Sequence, residues 1–144
     1  MKFLLALTLL LTTAVWLTAA GGASGVTYVN HEKVSAALAN GGPLVTASDL
    51  LVSGSHRSGN GQVEVHDKET DVFYVVDGAA TFVTGGTMVG GKIIKPGQHL
   101  GTDIKGGQTH HLSKGDVIVI PAGTPHWFKE VPQSVSYYVV KVLK

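Results

Sequence analysis

The sequence predicts an all-β domain that begins with one short helix, and two observations support this fold class. Short runs rich in β-branched and aromatic residues recur from Leu44 onward, most of them separated by glycine turns. Glycine accounts for 19 of the 144 residues, a content that fits a chain with many tight turns. Eight or nine short strands at this spacing favour either a closed barrel or a double-sheet sandwich.

The N-terminus has the layout of a secretory signal peptide. Lys2 provides a positive charge, an apolar run of about fifteen residues follows, and the small-residue stretch "TAAGGASG" comes next. The apolar run is shorter than the roughly 20 residues that a membrane span needs. We therefore expect cleavage around Ala20 to Ala23, a signal peptide over residues 1–23, and one secreted or periplasmic domain over residues 24–144 that makes no membrane contact.

Composition argues against several classes of function. Without Lys2, ten of the eleven Lys+Arg remain against ten Asp+Glu, so the mature chain is close to neutral. No basic stripe is present, which argues against nucleic acid as a partner. The absence of cysteine excludes a disulfide framework and a cysteine nucleophile, and no serine lies in a G-x-S-x-G context.

One helix precedes the strands. The segment "NHEKVSAALANGG" starts with Asn30 as an N-cap, places Val34, Ala37 and Leu38 on one side, and stops at its glycines. The predicted strands lie in the segments "LVTASDLLVSGSH", "GQVEVH", "DVFYVV", "ATFVTGG", "GKIIKPG", "THHLSKG", "DVIVIPAG", "HWFKEV" and "SVSYYVVKVL". Within "VVDGAATFV", the Asp77-Gly78 pair predicts a tight hairpin turn.

Two segments carry side chains suited to metal chemistry. In "GQVEVHDKETDVFYVVDG", Glu64 and His66 are two residues apart, so they share one face of a strand, and Asp71 opens the next strand. In "GDVIVIPAGTPHWFKE", an apolar strand runs into a Pro-Ala-Gly-Thr-Pro turn that delivers His126. Two imidazoles with one or two carboxylates suit Fe(II), Mn(II), Ni(II) or Zn(II) and leave positions open for substrate or oxygen.

The same two segments resemble the two sequence motifs of the cupin family. The second motif, G-x(5)-P-x-G-x(2)-H, is reproduced in full, with Glu130 in place of its usual closing asparagine. The first motif, H-x-H-x(4)-E-x(6)-G, is matched in part: Glu64 replaces its first histidine and Asp71 replaces its glutamate. The positions that match are Gly115, Pro121, Gly123 and His126 in the second motif, and His66 and Gly78 in the first.

The resemblance implies a jelly-roll β-barrel that holds one divalent metal ion. Its ligands would point into the barrel, and the corner shaped by Pro121 and Gly123 would aim His126 inward. The resemblance also makes a homodimer plausible, because single-domain relatives commonly pair through strands near the barrel edge. On this basis we expect the metal ligands to be Glu64, His66, Asp71 and His126.

Several roles remain open from the sequence alone. Glu64 is either a ligand or a general base, and Glu130 shares strand parity with His126 and is a second possible base. Glu69 is a rival carboxylate. One of His110 and His111 should point inward, where it is a candidate replacement ligand, although a supporting or surface position is favoured for both. The favoured function is a metal-dependent enzyme of dioxygenase, isomerase or lyase type acting on a small oxygen-rich substrate. The alternatives are a non-catalytic barrel that binds a small ligand or metal, and a structural protein whose site has decayed.

Overall fold

The computed structural model describes residues 25–144, so the predicted signal peptide lies outside the described residues. Helix α1 spans His31–Asn40, as predicted, and the Asn30 side chain caps it by accepting a hydrogen bond from Lys33 N at 3.1 Å. The helix packs closely against Gly54, where an added Cβ would lie 2.7 Å from the backbone of Ala37. Within the described residues, no helix has the length and apolar character needed to cross a membrane.

The described residues form twelve strands rather than eight or nine. Three of the additional strands are short segments of three or four residues, which carry too few side chains to show a strand pattern. The strands are β1 Gly42–Thr46, β2 Leu50–Arg57, β3 Val63–His66, β4 Glu69–Thr84, β5 Thr87–Val89, β6 Lys92–Lys95, β7 Gln98–Gly101, β8 Asp103–Lys105, β9 Gln108–Ser113, β10 Val117–Ile120, β11 His126–Glu130 and β12 Val135–Leu143. The predicted all-β class with one short helix is confirmed.

The hairpin predicted at Asp77-Gly78 is wrong, because β4 runs through these residues without turning. Gly78 has a φ of 80°, and the register with β12 shifts at this point, between Ser136 and Tyr137. An Asp-Gly pair can form a bulge in a continuous strand as readily as a two-residue turn. The first half of β4 pairs with β10 and β12, whereas the second half pairs with β9 and β11.

The bend lets β4 belong to two antiparallel sheet halves that enclose the core. One half contains β1, β2, β12, β4 and β10, and the other contains β4, β9, β11, β3, β7 and β6. Aromatic rings from both halves meet between them: Phe73 lies 5.7 Å from Phe82 and 5.8 Å from Phe128, measured between ring centroids. These rings form part of the buried apolar core between the two halves.

Strand register brings the polar residues of the two motifs to one place inside the barrel. His126, the first residue of β11, pairs directly with Glu64 on β3. Asp71, near the start of β4, pairs with Lys141 on β12. Residues directly opposite each other on antiparallel strands project on the same side of the sheet, so these cross-strand pairs define the candidate site.

Candidate metal centre

Three of the four predicted ligands form one compact set. Glu64, His66 and His126 each offer a donor atom, and these atoms all lie within 4.8 Å of one another. Both histidines are buried, with their ring centroids 5.1 Å apart, while the Glu64 side chain is 36% exposed. A second set of the same kind contains His66, Glu69 and Asp71, so His66 is common to both.

The Pro-Ala-Gly-Thr-Pro turn is fastened to the strand that carries His66. Gly123, with a φ of 79°, donates its backbone N–H to the carbonyl oxygen of His66 at 2.7 Å. Within the turn, Thr124 N–H donates to the carbonyl oxygen of Pro121 at 3.1 Å. The turn therefore sets the start of β11 relative to the end of β3, and so the spacing of the two histidines.

The turn also fixes which nitrogen of His126 is available for a ligand. Nδ1 of His126 lies 3.0 Å from the carbonyl oxygen of Thr124. A carbonyl oxygen can only accept, so Nδ1 carries the hydrogen and Nε2 presents its lone pair to the cluster. Metal-binding histidines in proteins are typically oriented in this way, with the second ring nitrogen held by a backbone carbonyl or a carboxylate.

Asp71 lies beside both histidines but is also paired with a lysine. Its Oδ2 is 3.5 Å from His66 Nε2 and 3.7 Å from His126 Nε2, and the residue is only 2% exposed. Both of its carboxylate oxygens accept hydrogen bonds from Lys141 Nζ, at 2.8 Å and 3.0 Å. The structure therefore brings Asp71 to the cluster and at the same time engages it with an internal cation.

Lys141 is a charged residue of the cluster that the sequence analysis missed. Its Nζ also lies 2.9 Å from Glu69 Oε2, so one ammonium group serves two carboxylates. Burial lowers the pKa of Lys141, but the hydrogen bonds and charges of Asp71 and Glu69 outweigh burial and raise it above its ordinary value. Strand parity with buried Tyr137 is the sequence signal that could have placed Lys141 inside the barrel.

The charged groups of the cluster shift one another's proton affinities. Burial raises the pKa of Glu64, but the hydrogen bond from His66 and the nearby histidines and Arg57 outweigh it, so the pKa lies below its usual value. Burial lowers the pKa of His126, and the hydrogen bond to Thr124 offsets this only in part. Glu64 is therefore ionised and His126 neutral near pH 7, the states in which both can bind a metal ion.

His66 behaves differently from His126. Burial and the positive charge of Lys141 lower its pKa, but the hydrogen bond to Glu64 and the negative charges of Asp71 and Glu64 outweigh them and raise it. Its Nδ1 is buried and has no hydrogen-bond partner among the described residues. The carboxylates around this imidazole therefore outweigh the one ammonium group of Lys141, and such surroundings favour a further cation.

Glu130 and the histidine pair of β9 do not join the cluster. A register shift between Phe128 and Glu130 breaks the alternation of β11, and Glu130 is exposed, where it accepts a hydrogen bond from Thr81 at 3.3 Å. Bulges of this kind re-aim the side chains that follow them. His110 lies 2.8 Å from the Thr84 hydroxyl, and His111 is exposed.

A cavity of about 180 Å³ opens beside the cluster. Its lining includes Glu64, Asp71 and His126 from the predicted site, together with Arg57 and Lys141, which the sequence analysis did not single out. A larger depression of about 330 Å³ lies elsewhere and is lined by neither histidine of the cluster. The smaller cavity is therefore the one in which the chemistry of the cluster would act.

The residues present fit a divalent metal ion. Glu64, His66 and His126 supply one carboxylate and two imidazoles from buried or half-buried positions, which is the donor chemistry of Fe, Mn, Zn and Ni sites. The backbone hydrogen bond that orients His126 supports the same assignment. These three residues are the ones that would hold the ion, and Asp71, which the sequence predicted as a fourth ligand, would bind it only if Lys141 released its carboxylate.

Comparison with known proteins supports the fold and places the chain in a family. No curated protein matches the chain. The crystal structure of BH2720 from Bacillus halodurans is similar, with 15% identity, a TM-score of 0.60 and coverage of 85% of this chain and 86% of that one. The structure of KdgF from a Halomonas species is similar with 18% identity, a TM-score of 0.52 and coverage of 72% and 76%. Both likenesses confirm the jelly-roll β fold.

A likeness to the Schizosaccharomyces pombe Cnp3 cupin domain is of the same kind, with 12% identity, a TM-score of 0.52 and coverage of 72% of this chain and 59% of that one. At such low identities, similarity to the solved structures shows a shared fold alone. The family model described as Cupin matches residues 21–142, which is most of the chain. The chain belongs to the cupin family.

Proposed function

We propose that the protein is an exported enzyme that uses one divalent metal ion to transform a small oxygen-rich organic substrate. The observation that carries the proposal is the convergence of Glu64, His66 and His126 beside a cavity. We include Fe, Mn, Zn and Ni as possible ions and dioxygenase, isomerase and lyase reactions as possible chemistries. The proposed secreted or periplasmic location rests on the signal-peptide pattern of residues 1–23.

The side chains around the cavity have separable tasks in such a reaction. When bound, a divalent ion supplies Lewis-acid polarisation of a substrate carbonyl or enolate, or open positions for oxygen. The backbone of Thr124 keeps His126 in the tautomer that presents Nε2 to the cavity. Glu64 is ionised and partly exposed to the cavity, so it can hold the ion or accept a proton from a substrate.

A non-catalytic binding module is the second candidate. The apolar lining of the cavity by Phe73, Phe128 and Val139 favours it, because ligand pockets are lined mainly by apolar side chains with a few polar groups that fix orientation. In such a module the metal ion or the barrel alone would hold a small ligand without turning it over. Metal bound at full occupancy, with no turnover of any oxygen-rich organic acid or sugar, would favour this second candidate.

Metal analysis of single-residue variants tests the proposed centre. We expect about one divalent ion per mature chain after incubation with Fe, Mn, Ni or Zn, and loss of most of it in His126→Ala and Glu64→Ala, because each variant removes one of three ligands. Elemental analysis of desalted protein measures this. Metal retained in both variants, or absent from the unmodified protein, would contradict the proposed centre.

Two matched controls separate ligand loss from general damage. His111→Ala removes an exposed histidine and Glu130→Ala removes an exposed carboxylate, and neither residue belongs to the cluster. Both should keep the metal content of the unmodified protein. Metal lost from His126→Ala but retained by Glu64→Ala would make Glu64 a base rather than a ligand.

We also propose that the domain forms a homodimer through an outer apolar face. Val117 and Val119 of β10 are 61% and 58% exposed, and Val117 lies opposite Tyr74 of β4, which is exposed as well. Among the described strands, β10 pairs with β4 alone, so its other edge is free. A second copy related by a twofold axis presents the same apolar face and the same free edge of β10 in antiparallel orientation. The near-neutral net charge of the chain means that two copies do not repel each other.

A further inference from the structure

We propose that Arg57 binds the carboxylate of the substrate, so that the cavity beside the candidate metal centre takes a small organic monocarboxylate. This inference rests on the proposed function, and it names a substrate class and a binding residue that neither sequence motif contains. Arg57 is the last residue of β2 and lines the same cavity as Glu64 and His126.

The guanidinium group of Arg57 packs against an aromatic ring and a glycine. Its Cζ lies 4.9 Å from the centroid of the Phe128 ring. Gly61 is also close to this group, since an added Cβ there would lie 3.0 Å from Arg57 Nη1. Gly61 is itself fixed, because its N–H donates to Phe128 O and its carbonyl accepts from Trp127 Nε1, both at 2.8 Å. These neighbours restrict how Arg57 can point.

Arg57 has no carboxylate partner within the part of the chain that the structure describes. None of the ion pairs found there includes Arg57, whereas Lys141, the other cation of the cavity, pairs with both Asp71 and Glu69. The Nε of Arg57 is buried and lacks a hydrogen-bond partner among the described residues. A guanidinium offers a fork of donors that matches a carboxylate, and a buried donor without a partner is costly. An anionic ligand would match the fork of donors and would also give the buried Nε an acceptor.

The charge balance of the cavity points to a single negative charge on that ligand. Arg57 and Lys141 contribute two positive charges. Glu64 and Asp71 of the cavity lining contribute two negative charges, and Glu69, which lies outside the lining but shares Lys141 with Asp71, contributes a third, which leaves one net negative charge. A divalent ion on Glu64, His66 and His126 turns this into one positive charge when the histidines are neutral. A monocarboxylate then neutralises the site.

The walls and the volume of the cavity restrict the rest of the ligand. The cavity measures about 180 Å³, below the roughly 300–1,000 Å³ of common ligand pockets, which favours a small acid. Tyr137 lies beside Arg57, and burial raises the pKa of its phenol, which keeps the hydroxyl protonated as a donor. Phe73 and Phe128 supply apolar wall. The class is therefore a short carboxylic acid with further oxygen atoms.

Binding of glycolate and its neutral analogue glycolamide tests the inference. Isothermal titration of the metal-loaded mature protein should show that glycolate binds tighter than glycolamide. Arg57→Met should weaken glycolate binding at least about tenfold, as loss of a charge-assisted bidentate contact predicts, and leave glycolamide binding unchanged. Arg57→Lys keeps the positive charge without the fork of donors, so its affinity for glycolate should lie between those of the unmodified protein and Arg57→Met.

Controls make the outcome specific. Lys129→Met removes a cation that lies over the Trp127 ring and does not line the cavity, so it should bind glycolate like the unmodified protein. Metal content and melting temperature are measured on every sample, and if Arg57→Met does not fold, Arg57→Lys decides. Full metal occupancy with equal glycolate affinity in the unmodified and Arg57 proteins overturns this inference and leaves the metal centre standing. An unmodified protein that takes up no metal overturns both.

Discussion

At the scale of single residues, the pairing of Asp71 with Lys141 decides how many side chains are left for a metal ion. The Asp71 carboxylate is fully buried and both oxygens accept from one ammonium group. In this arrangement Glu64, His66 and His126 are the three residues that would hold an ion beside the cavity. If Lys141 withdrew, Asp71 Oδ2 would lie beside both imidazoles as a fourth ligand.

The substitution Lys141→Met tests this role. Removing one partner of a buried ion pair costs about 3–5 kcal/mol, and we expect a loss of about 3 kcal/mol in metal-free protein because Lys141 is partly exposed. Added metal should raise the melting temperature more in this variant than in the unmodified protein, because Asp71 becomes free to bind it. Thermal unfolding with and without Zn²⁺ measures both effects.

The exposed Lys129→Met serves as the control and should show neither effect. A metal-induced shift in melting temperature that is equal in Lys141→Met and in the unmodified protein would contradict the view that Lys141 withholds Asp71 from the metal.

The sequence was a good guide to some of these residues and not to others, for a physical reason. Strand periodicity placed Glu64 and His66 on one face, and the turn motif identified His126. Lys141 pairs with a residue 70 positions away, and this contact depends on the register of β12 on β4. Arg57 lines the cavity while it packs against Phe128 and Gly61, and such tertiary placements leave no local pattern.

At the scale of elements, the long strand β4 organises the molecule. Its first half carries Asp71 and its second half pairs with His126 through Thr84, so one strand spans both parts of the site. The bend at Gly78 lets it cross from one sheet half to the other. Local sequence suggested a hairpin there, and the pairing of distant strands on both sides of the bend produced a continuous strand instead.

Because β4 bends at Gly78, we expect any side chain introduced at position 78 to destabilise the fold strongly. In Gly78→Ala, the new Cβ would lie 2.0 Å from Ser134 O, in a backbone with a φ of 80°. We expect a loss of more than about 3 kcal/mol in the free energy of unfolding, since backbone strain and a backbone clash add. Urea denaturation measures it.

Gly85→Ala is the matched control. Its φ is 73° and its added Cβ would meet no atom within 4 Å, so it carries the strain without the clash and should cost about 1 kcal/mol. Equal costs at the two positions would show that the close approach of Ser134 to the bend is not what constrains β4.

At the scale of the whole molecule, the fold class was predictable from the sequence. The assembly was not, because it depends on which side chains the fold leaves exposed. Alternating strands and glycine turns are local signals, and the second cupin motif is intact, so the sequence identified an all-β domain of the correct family. The outer face of β10 and β4 was not predictable, because the exposure of Val117 and Val119 depends on which strands cover them.

The proposed homodimer predicts the effect of charges on that face. The double variant Val117→Lys and Val119→Lys should be monomeric where the unmodified protein is a dimer, because two rows of lysines would face each other across the twofold axis. Sedimentation equilibrium measures the masses. A matched pair of lysines at exposed Ile93 and Ile94 on β6 should leave the dimer intact. An unmodified protein that is monomeric at micromolar concentration would contradict the proposal.

A crystal structure of the mature protein grown with the metal ion it retains, with anomalous data collected at that metal's absorption edge, tests the central claim most directly. We expect one anomalous peak about 2.0–2.3 Å from the Glu64 carboxylate and from one ring nitrogen each of His66 and His126, with Asp71 still hydrogen-bonded to Lys141. A peak elsewhere in the molecule, or one bound by Asp71 with Lys141 displaced, would contradict the three-ligand centre.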